Sequence, residues 1–260
     1  MLDKAIKDLV GGLKLYHVWT YQAYHDISSK YKRTFLGSLW ISGQLVATSL
    51  ALSLVFSGIF GTTLKEALPY MMGGIMCYGF CGFMMNESVE IFMGASGMIK
   101  NHANPYSYYV LESVAKIFFL FMHNVVVFLL LLLIIGALHV PHISFIPGVV
   151  VVLVTIFSWG TVTGMLAARF RDMRYLLPYL AHIMYFMTPI FWRMDQLHSS
   201  RAKYAMWNPF YGLVEILRAP LLGQEAPAHC WTLALITMVT GIVAWLVFFT
   251  PFRRRIPYWI

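Results

Sequence analysis

The stretch KYKRTFLGSLWISGQLVATSLALSLVFSGIFGTTL, residues 30–64, decides the fold. After the basic cluster Lys30-Tyr31-Lys32-Arg33 come thirty-one residues, Thr34 to Leu64, without a single charge. A hydrocarbon core about 30 Å thick is crossed by roughly 20 apolar residues of helix, so this run crosses with length to spare. Basic residues beside a span are retained on the cytoplasmic side, which makes the junction an orientation label as well as an anchor.

The composition extends that reading to the whole chain. Of 260 residues, 59% are hydrophobic and 12% charged, against about 25% charged in a soluble domain. The net charge of +8 does not point to nucleic acid, because most basic residues border spans rather than form a separate soluble domain. Orientation and anionic membrane lipid account for them. Met1 to Tyr16 has no uninterrupted apolar core with a cleavage site, so the first span is expected to target the chain itself. Cys77, Cys81 and Cys230 make an odd count and read as small buried hydrophobes; no disulfide framework and no metal site follows.

Runs with little or no charge recur at 34–64, 67–86, 117–168, 175–192 and 226–252. The third is too long for one helix, and His139-Val140-Pro141-His142 with Pro147 divides it. The expected fold is an all-α integral membrane protein. It has a cytoplasmic amphipathic segment over 1–33 and a transmembrane domain over 34–260, with six spans near 35–60, 68–90, 110–137, 146–168, 175–192 and 231–251. With both termini on one side, that side carries 13 Lys and Arg and the other 5, leaving out Lys116 at the start of a span. This puts the termini in the cytoplasm.

Ahead of the first span, Leu2, Ile6, Leu9, Leu13 and Tyr16 recur at helical steps while Asp3, Lys4, Lys7 and Lys14 fall elsewhere. The spacing predicts an amphipathic helix, lying on the membrane surface or packed on a partner. The outer segment 193–230 is only partly polar. Asn208-Pro209 resembles a capped helix start, and the apolar stretch after it is too short to cross. Short re-entrant helices on the outer side, between the fifth and sixth spans, fit, since backbone at membrane depth must satisfy its own hydrogen bonds.

No phosphate-cradling Gly-x-x-x-x-Gly-Lys-Ser/Thr run exists in the chain, so it is not expected to hydrolyse ATP by itself. Gly94-Ala95-Ser96-Gly97 is the one string that suggests catalysis. Six spans with this tetrapeptide would also describe an intramembrane serine protease with Ser96 as nucleophile, which needs His123 or His182 as base. Ser96 falls beyond the end of the second span while His123 lies turns deep in the third, so the expectation is no catalytic residue. His123-Asn124 reads equally as a pore-lining pair or as an interhelical hydrogen bond. Glu112 and Lys116 are spaced to stabilise one helix end, and Glu87 and Glu90 have Lys100 or Lys116 as possible partners. A self-contained channel or carrier would call for acidic residues in mid-membrane, which the chain lacks.

Aromatic residues reach 16% and are not confined to the interfaces. Phe80, Phe83, Trp159, Tyr179, Tyr185, Phe186 and Trp192 lie within or at the ends of spans. Sugar rings pack C–H faces on aromatic rings, so these residues are candidates for a glycan channel, with lipid or core packing as the competing use.

Three strings carry a resemblance. Lys30-Tyr31-Lys32-Arg33-Thr34-Phe35-Leu36-Gly37-Ser38-Leu39-Trp40 resembles the approach to the first span in permeases of ABC-type polysaccharide exporters, those moving O-antigen, teichoic acid or capsule. Arg169-Phe170-Arg171-Asp172-Met173-Arg174-Tyr175 with Met187-Thr188-Pro189-Ile190-Phe191-Trp192 resembles that family's fourth loop and fifth span, and Trp207-Asn208-Pro209-Phe210 its outer re-entrant region. The resemblance implies a homodimer driven by two copies of a separate ATPase chain, with ATP and magnesium bound there and no cofactor on this chain. It implies an ATPase-coupling segment around Ile99, Lys100, Asn101, His102, Asn104 and Pro105. It implies as substrate a glycan on a polyprenyl diphosphate, whose anionic head group Lys30, Lys32 and Arg33 are placed to receive. Short outer loops and no appended soluble domain favour the O-antigen branch, in the bacterial inner membrane, over capsule or teichoic acid.

Overall fold

The computed structural model describes residues 2–32, 34, 35, 37, 39–194 and 202–260, the side chains of 202 and 203 aside. Every regular element among them is helical. α1 (Leu2–Lys14) and α2 (Tyr16–Tyr31) open the chain, followed by α3 (Leu39–Phe60) and α4 (Leu64–Gly82). A 3₁₀ turn at Glu87–Glu90 leads into two short helices, α5 (Ile91–Gly94) and α6 (Ser96–Asn101). Then come α7 (Tyr106–Ile134), α8 (Phe145–Arg169), α9 (Met173–Met187), the short α10 (Ala202–Ala205) and α11 (Pro209–Leu221). α12 (Ala228–Phe252), a 3₁₀ turn over Arg253–Arg255 and α13 (Ile256–Trp259) complete the fold.

Five helical stretches among the described residues are long and apolar enough to cross a bilayer: α3, the run Leu64–Asn101, α7, α8 and the run Ala228–Trp259. The protein is a multi-pass membrane protein. α9 has 15 residues, about 22 Å at 1.5 Å per residue, short of a hydrocarbon core of about 30 Å. It stops because Thr188 precedes Pro189 and takes an extended backbone, φ −87° and ψ 137°. The run 175–192 is therefore helix only as far as Met187.

α3 buries only Ser42, Leu45, Ser49 and Ser53. This narrow face of mostly small residues lets α4 approach closely, and each hydroxyl is satisfied. Ser42 donates to Asn124 Oδ1 at 2.9 Å, Ser49 to its own helix at the Leu45 carbonyl at 2.7 Å, and Ser53 meets Met71 Sδ at 3.4 Å. Leu50, Leu54, Val55 and Ile59 remain exposed. The tightest pairing of long helices is α8 with α12. Trp159 donates its indole N–H to the Thr237 carbonyl at 3.0 Å, and a Cβ on Gly241 would lie 2.7 Å from that ring.

α11 is wedged among α4, α8 and α12, and all its residues but Pro209 and Glu215 are buried. Its start follows from the sequence: Asn208 accepts from the Phe210 amide at 3.0 Å and Pro209 occupies the first turn. Bare backbone lets it fit. A Cβ on Gly148 would lie 2.6 Å from the Ile216 carbonyl oxygen, and one on Gly212 2.8 Å from the Cys230 carbonyl oxygen.

Candidate functional site

One end of the bundle gathers α1, α6 and α13, and it carries the segment Ile99, Lys100, Asn101, His102, Asn104 and Pro105. Ile99 is buried and anchors the segment, whereas Lys100, Asn101 and His102 are exposed and Asn104 and Pro105 half-buried. α6 ends at Asn101, His102 is extended with φ −128° and ψ 137°, and its amide closes on the Met98 carbonyl at 2.8 Å. The result is a short polar projection on an apolar root, able to meet a polar protein surface without unfolding.

Lys30 and Lys32 are exposed at the C-terminal end of α2, with no acidic partner among the described residues. Lys30 Nζ lies 5.7 Å from the Tyr31 ring centroid. Arg33 lies outside the described residues.

The aromatic candidates divide into two groups. Phe80 and Phe83 are 1% exposed, and Phe80 stacks on Phe121 with centroids 4.4 Å apart. Trp159 is tied to α12 as described above. Tyr185 and Phe186 instead join a cluster on the opposite flank of α4: Tyr185 lies 5.1 Å from Phe191 and 5.0 Å from Tyr78, and Phe186 6.1 Å from Phe191. Tyr179 and Phe186 present 65% and 59% of their surface, while Tyr185 and Trp192 are half-buried. Phe191, Tyr78 and Phe56, which stacks on Phe191 at 5.6 Å, complete this cluster and carried no signal of their own in the sequence.

Two clefts open along α7, one toward α2 and the turns at 87–98, the other toward α3 and α4. The first, of about 330 Å³, is lined by Asp26, Glu87, Glu90, Glu112 and Lys116 among others. The second, of about 320 Å³, shares Glu87 and adds Gln44, Thr48 and Asn124. Glu90 takes neither Lys100 nor Lys116: Arg174 grips it with two hydrogen bonds at 2.7 and 2.8 Å. Lys116 stands 3.6 Å from Asp26. Asn124 bonds Ser42, the interhelical use of that residue, and His123 Nε2 is buried with no hydrogen-bond partner among the described residues. Ser96 begins α6 and makes no hydrogen bond to a histidine there, and Cys77, Cys81 and Cys230 are buried thiols.

Residues 23–222 match the family described as ABC-2 type transporter. Two proteins of Klebsiella pneumoniae are also similar to this chain, both described as O-antigen export system permease protein RfbA. One is 22% identical over 73% of this chain and 74% of its own length. The other is 20% identical over 84% of this chain and 86% of its own.

Proposed function

The chain belongs to the ABC-2 type transporter family, and on that footing we propose that it is the permease subunit of an ATP-driven exporter of a lipid-linked polysaccharide. The cargo is an O-antigen-like glycan on polyprenyl diphosphate, moved across the bacterial inner membrane by a homodimer with both termini in the cytoplasm. Two copies of a separate ATPase supply the energy, since this chain has no nucleotide-cradling loop. The observation that carries the reading is the breadth of the match: similarity to two O-antigen export permeases runs over 73% and 84% of the chain.

Several of the described residues support this reading. The exposed Lys100, Asn101 and His102 on their buried Ile99 root suit docking on the ATPase. Lys30 and Lys32, free of acidic partners among the described residues, suit a diphosphate arriving from the cytoplasmic leaflet, together with Arg33. Tyr179, Tyr185, Phe186 and Trp192 offer an aromatic face to a passing glycan, whereas Phe80 and Phe83 are packed in the core and Trp159 against α12. α9 with the turns through Trp192 supplies a sixth crossing. α10 and α11 form the outer re-entrant pair: the 13 residues of α11 make about 20 Å of helix, too short to span.

The test is deletion in the native host together with purification of the tagged chain. The expected result is loss of surface glycan, accumulation of polyprenyl-linked glycan inside, and an ATPase recovered with the chain. Surface glycan that persists unchanged, or a chain that captures no ATPase, overturns the reading. Loss of capsule or teichoic acid instead of O-antigen moves the substrate to those branches.

A further inference from the structure

α1 turns most of its apolar residues to the solvent or membrane and its small ones to the protein, with Leu9 half-buried against the core. Leu2, Ile6, Leu13 and Tyr16 are between 46% and 52% exposed, while Ala5 and Gly12 are buried. Between Ala5 and Gly12 on the buried face sits Asp8. Its Oδ2 accepts from the Tyr106 amide at 3.1 Å, and its Oδ1 accepts from the Ser107 amide at 2.9 Å and the Ser107 hydroxyl at 2.6 Å. These are the first two residues of α7, whose own N-cap, Pro105, supplies no side-chain cap. A carboxylate there satisfies amides that the helix leaves open and complements its positive end. The fit is close on both sides: a Cβ on Gly11 would lie 3.0 Å from Pro105 Cγ, and one on Gly12 3.1 Å from the Ser107 side chain.

The cap therefore lies directly downstream of the segment 99–105. Asp8 is joined to its partners across 98 and 99 residues of sequence, so it is a tertiary fastening rather than a local turn. α2 continues the contact along α7 and ends near Lys30. Its Asp26 to Lys116 pair is half-exposed, at 35% and 45%, and pairs of that kind contribute little.

We propose that Asp8 is a positioning residue that fastens α1 to the start of α7, so that the docking segment 99–105 and the amphipathic helix move as one body during the transport cycle. Movement imposed on 99–105 by a partner is then delivered to α1, in the membrane surface, and through α2 to Lys30 and Lys32. The role rests on the reading of 99–105 as the ATPase-docking segment.

The experiment uses the full chain with the ATPase that co-purifies with it, and an engineered covalent substitute for the carboxylate. The built Cβ of Gly11 is 3.8 Å from Pro105 Cβ, inside the range of about 3.5–4.5 Å that a disulfide accepts. Asp8→Ala is expected to speed hydrogen exchange at Tyr106 and Ser107 on the order of 10- to 100-fold. It is also expected to cut glycan exported per ATP hydrolysed, read by lectin labelling of intact cells, while ATPase assembly and basal hydrolysis persist. Adding Gly11→Cys with Pro105→Cys, oxidised, is expected to restore export per ATP to the level the same cysteine pair gives with Asp8 intact, a control that separates the loss of Pro105 from the docking segment from the loss of Asp8. Reduction is expected to abolish the rescue.

Unchanged exchange in Asp8→Ala overturns the fastening. Parallel loss of assembly, hydrolysis and export, or a formed disulfide that fails to rescue, reduces Asp8 to a structural cap and overturns the coupling role. A wild-type chain that captures no ATPase sinks the docking reading and the coupling role with it, while the exchange result still decides the fastening.

Discussion

Arg218 Nη1 donates a 2.8 Å hydrogen bond to the carbonyl of Pro189, pinning the last turn of α11 to the point where α9 has just given way. Its Nη2 reaches the Tyr70 hydroxyl at 2.8 Å and the Glu215 carboxylate, and its guanidinium lies 3.7 Å from the Tyr70 ring centroid. Three separate parts of the chain, α4, the turn after α9 and α11, thus meet on one side chain that is 1% exposed. Nη1 and Nη2 both find acceptors and the guanidinium lies over a π-face, which offsets the cost of burying the cation, while Nε is buried with no hydrogen-bond partner among the described residues.

Arg218→Ala is accordingly expected to destabilise the protein by about 3–5 kcal/mol, because it leaves the Glu215 carboxylate without its partner in a buried site. Arg218→Lys is expected to recover little, since an ammonium cannot reproduce the planar fork that reaches Pro189 and Tyr70 together. The double variant Arg218→Met with Glu215→Gln is expected to lose less than Arg218→Ala alone. Thermal unfolding of the three variants in one detergent gives the ranking, and a single variant as stable as wild type counts against the pin.

Asn208 does two jobs with one amide. Its oxygen caps Phe210, and its Nδ2 donates to Thr188 Oγ1 at 2.9 Å. Asn208→Ala is expected to cost about 1–2 kcal/mol. Asn208→Ser, which keeps the cap and gives up the reach to Thr188, is expected to fall between. Equal stability of the serine and alanine variants is the contrary result.

Much of this architecture is legible in the sequence because lipid and protein both reward apolar runs. Charge-free stretches give α3, α4, α7, α8 and α12, and Asn208-Pro209 gives the start of α11. What periodicity cannot say is which medium an apolar face meets. Leu2, Ile6 and Leu13 of α1, with Tyr16 at the start of α2, mark a stripe that avoids water, yet Asp8 and Gly12 meet the start of α7. A similar inversion holds in α3, where Ser42, Ser49 and Ser53 pack beside Leu45 while Leu50 and Leu54 face outward. Arg218, counted from sequence with the outer-loop cations, is buried by acceptors 29 and 148 residues away. Glu90 finds Arg174 across 84 residues rather than the nearer lysines. No local spacing encodes such pairings, and the aromatic cluster around Phe191 is hidden for the same reason.

The close approach of α8 to α11 gives a prediction with an internal control. A methyl on Gly148 would sit 2.6 Å from the Ile216 carbonyl oxygen, whereas one on Gly43 meets nothing within 4 Å. Gly148→Ala is expected to force the helices apart at a cost of about 1–3 kcal/mol. Gly43→Ala, in an open helical position, is expected to stabilise by up to about 1 kcal/mol. Shifts of the two melting temperatures in the same direction would contradict the packing.

The basic cluster ahead of the first span has two proposed roles that one experiment separates. As an orientation label, Lys32 with Arg33 acts once, during insertion; as a head-group site it acts in every transport cycle. Each cation near an anionic surface contributes about 1 kcal/mol, so Lys32→Gln with Arg33→Gln removes about 2 kcal/mol, on the order of 30-fold in head-group affinity. In the proposed orientation enough basic residues remain elsewhere on the cytoplasmic side, among them Lys4, Lys7, Arg253, Arg254 and Arg255, for the topology to hold. The double variant is therefore expected to insert correctly, as checked by labelling of single cysteines, and to assemble with its ATPase, yet to export poorly. Lys32→Arg with Arg33→Lys, which preserves both charges, is expected to export normally. Normal export by the neutralised variant would leave the cluster with its orientation role alone, and misinsertion would assign the defect to topology.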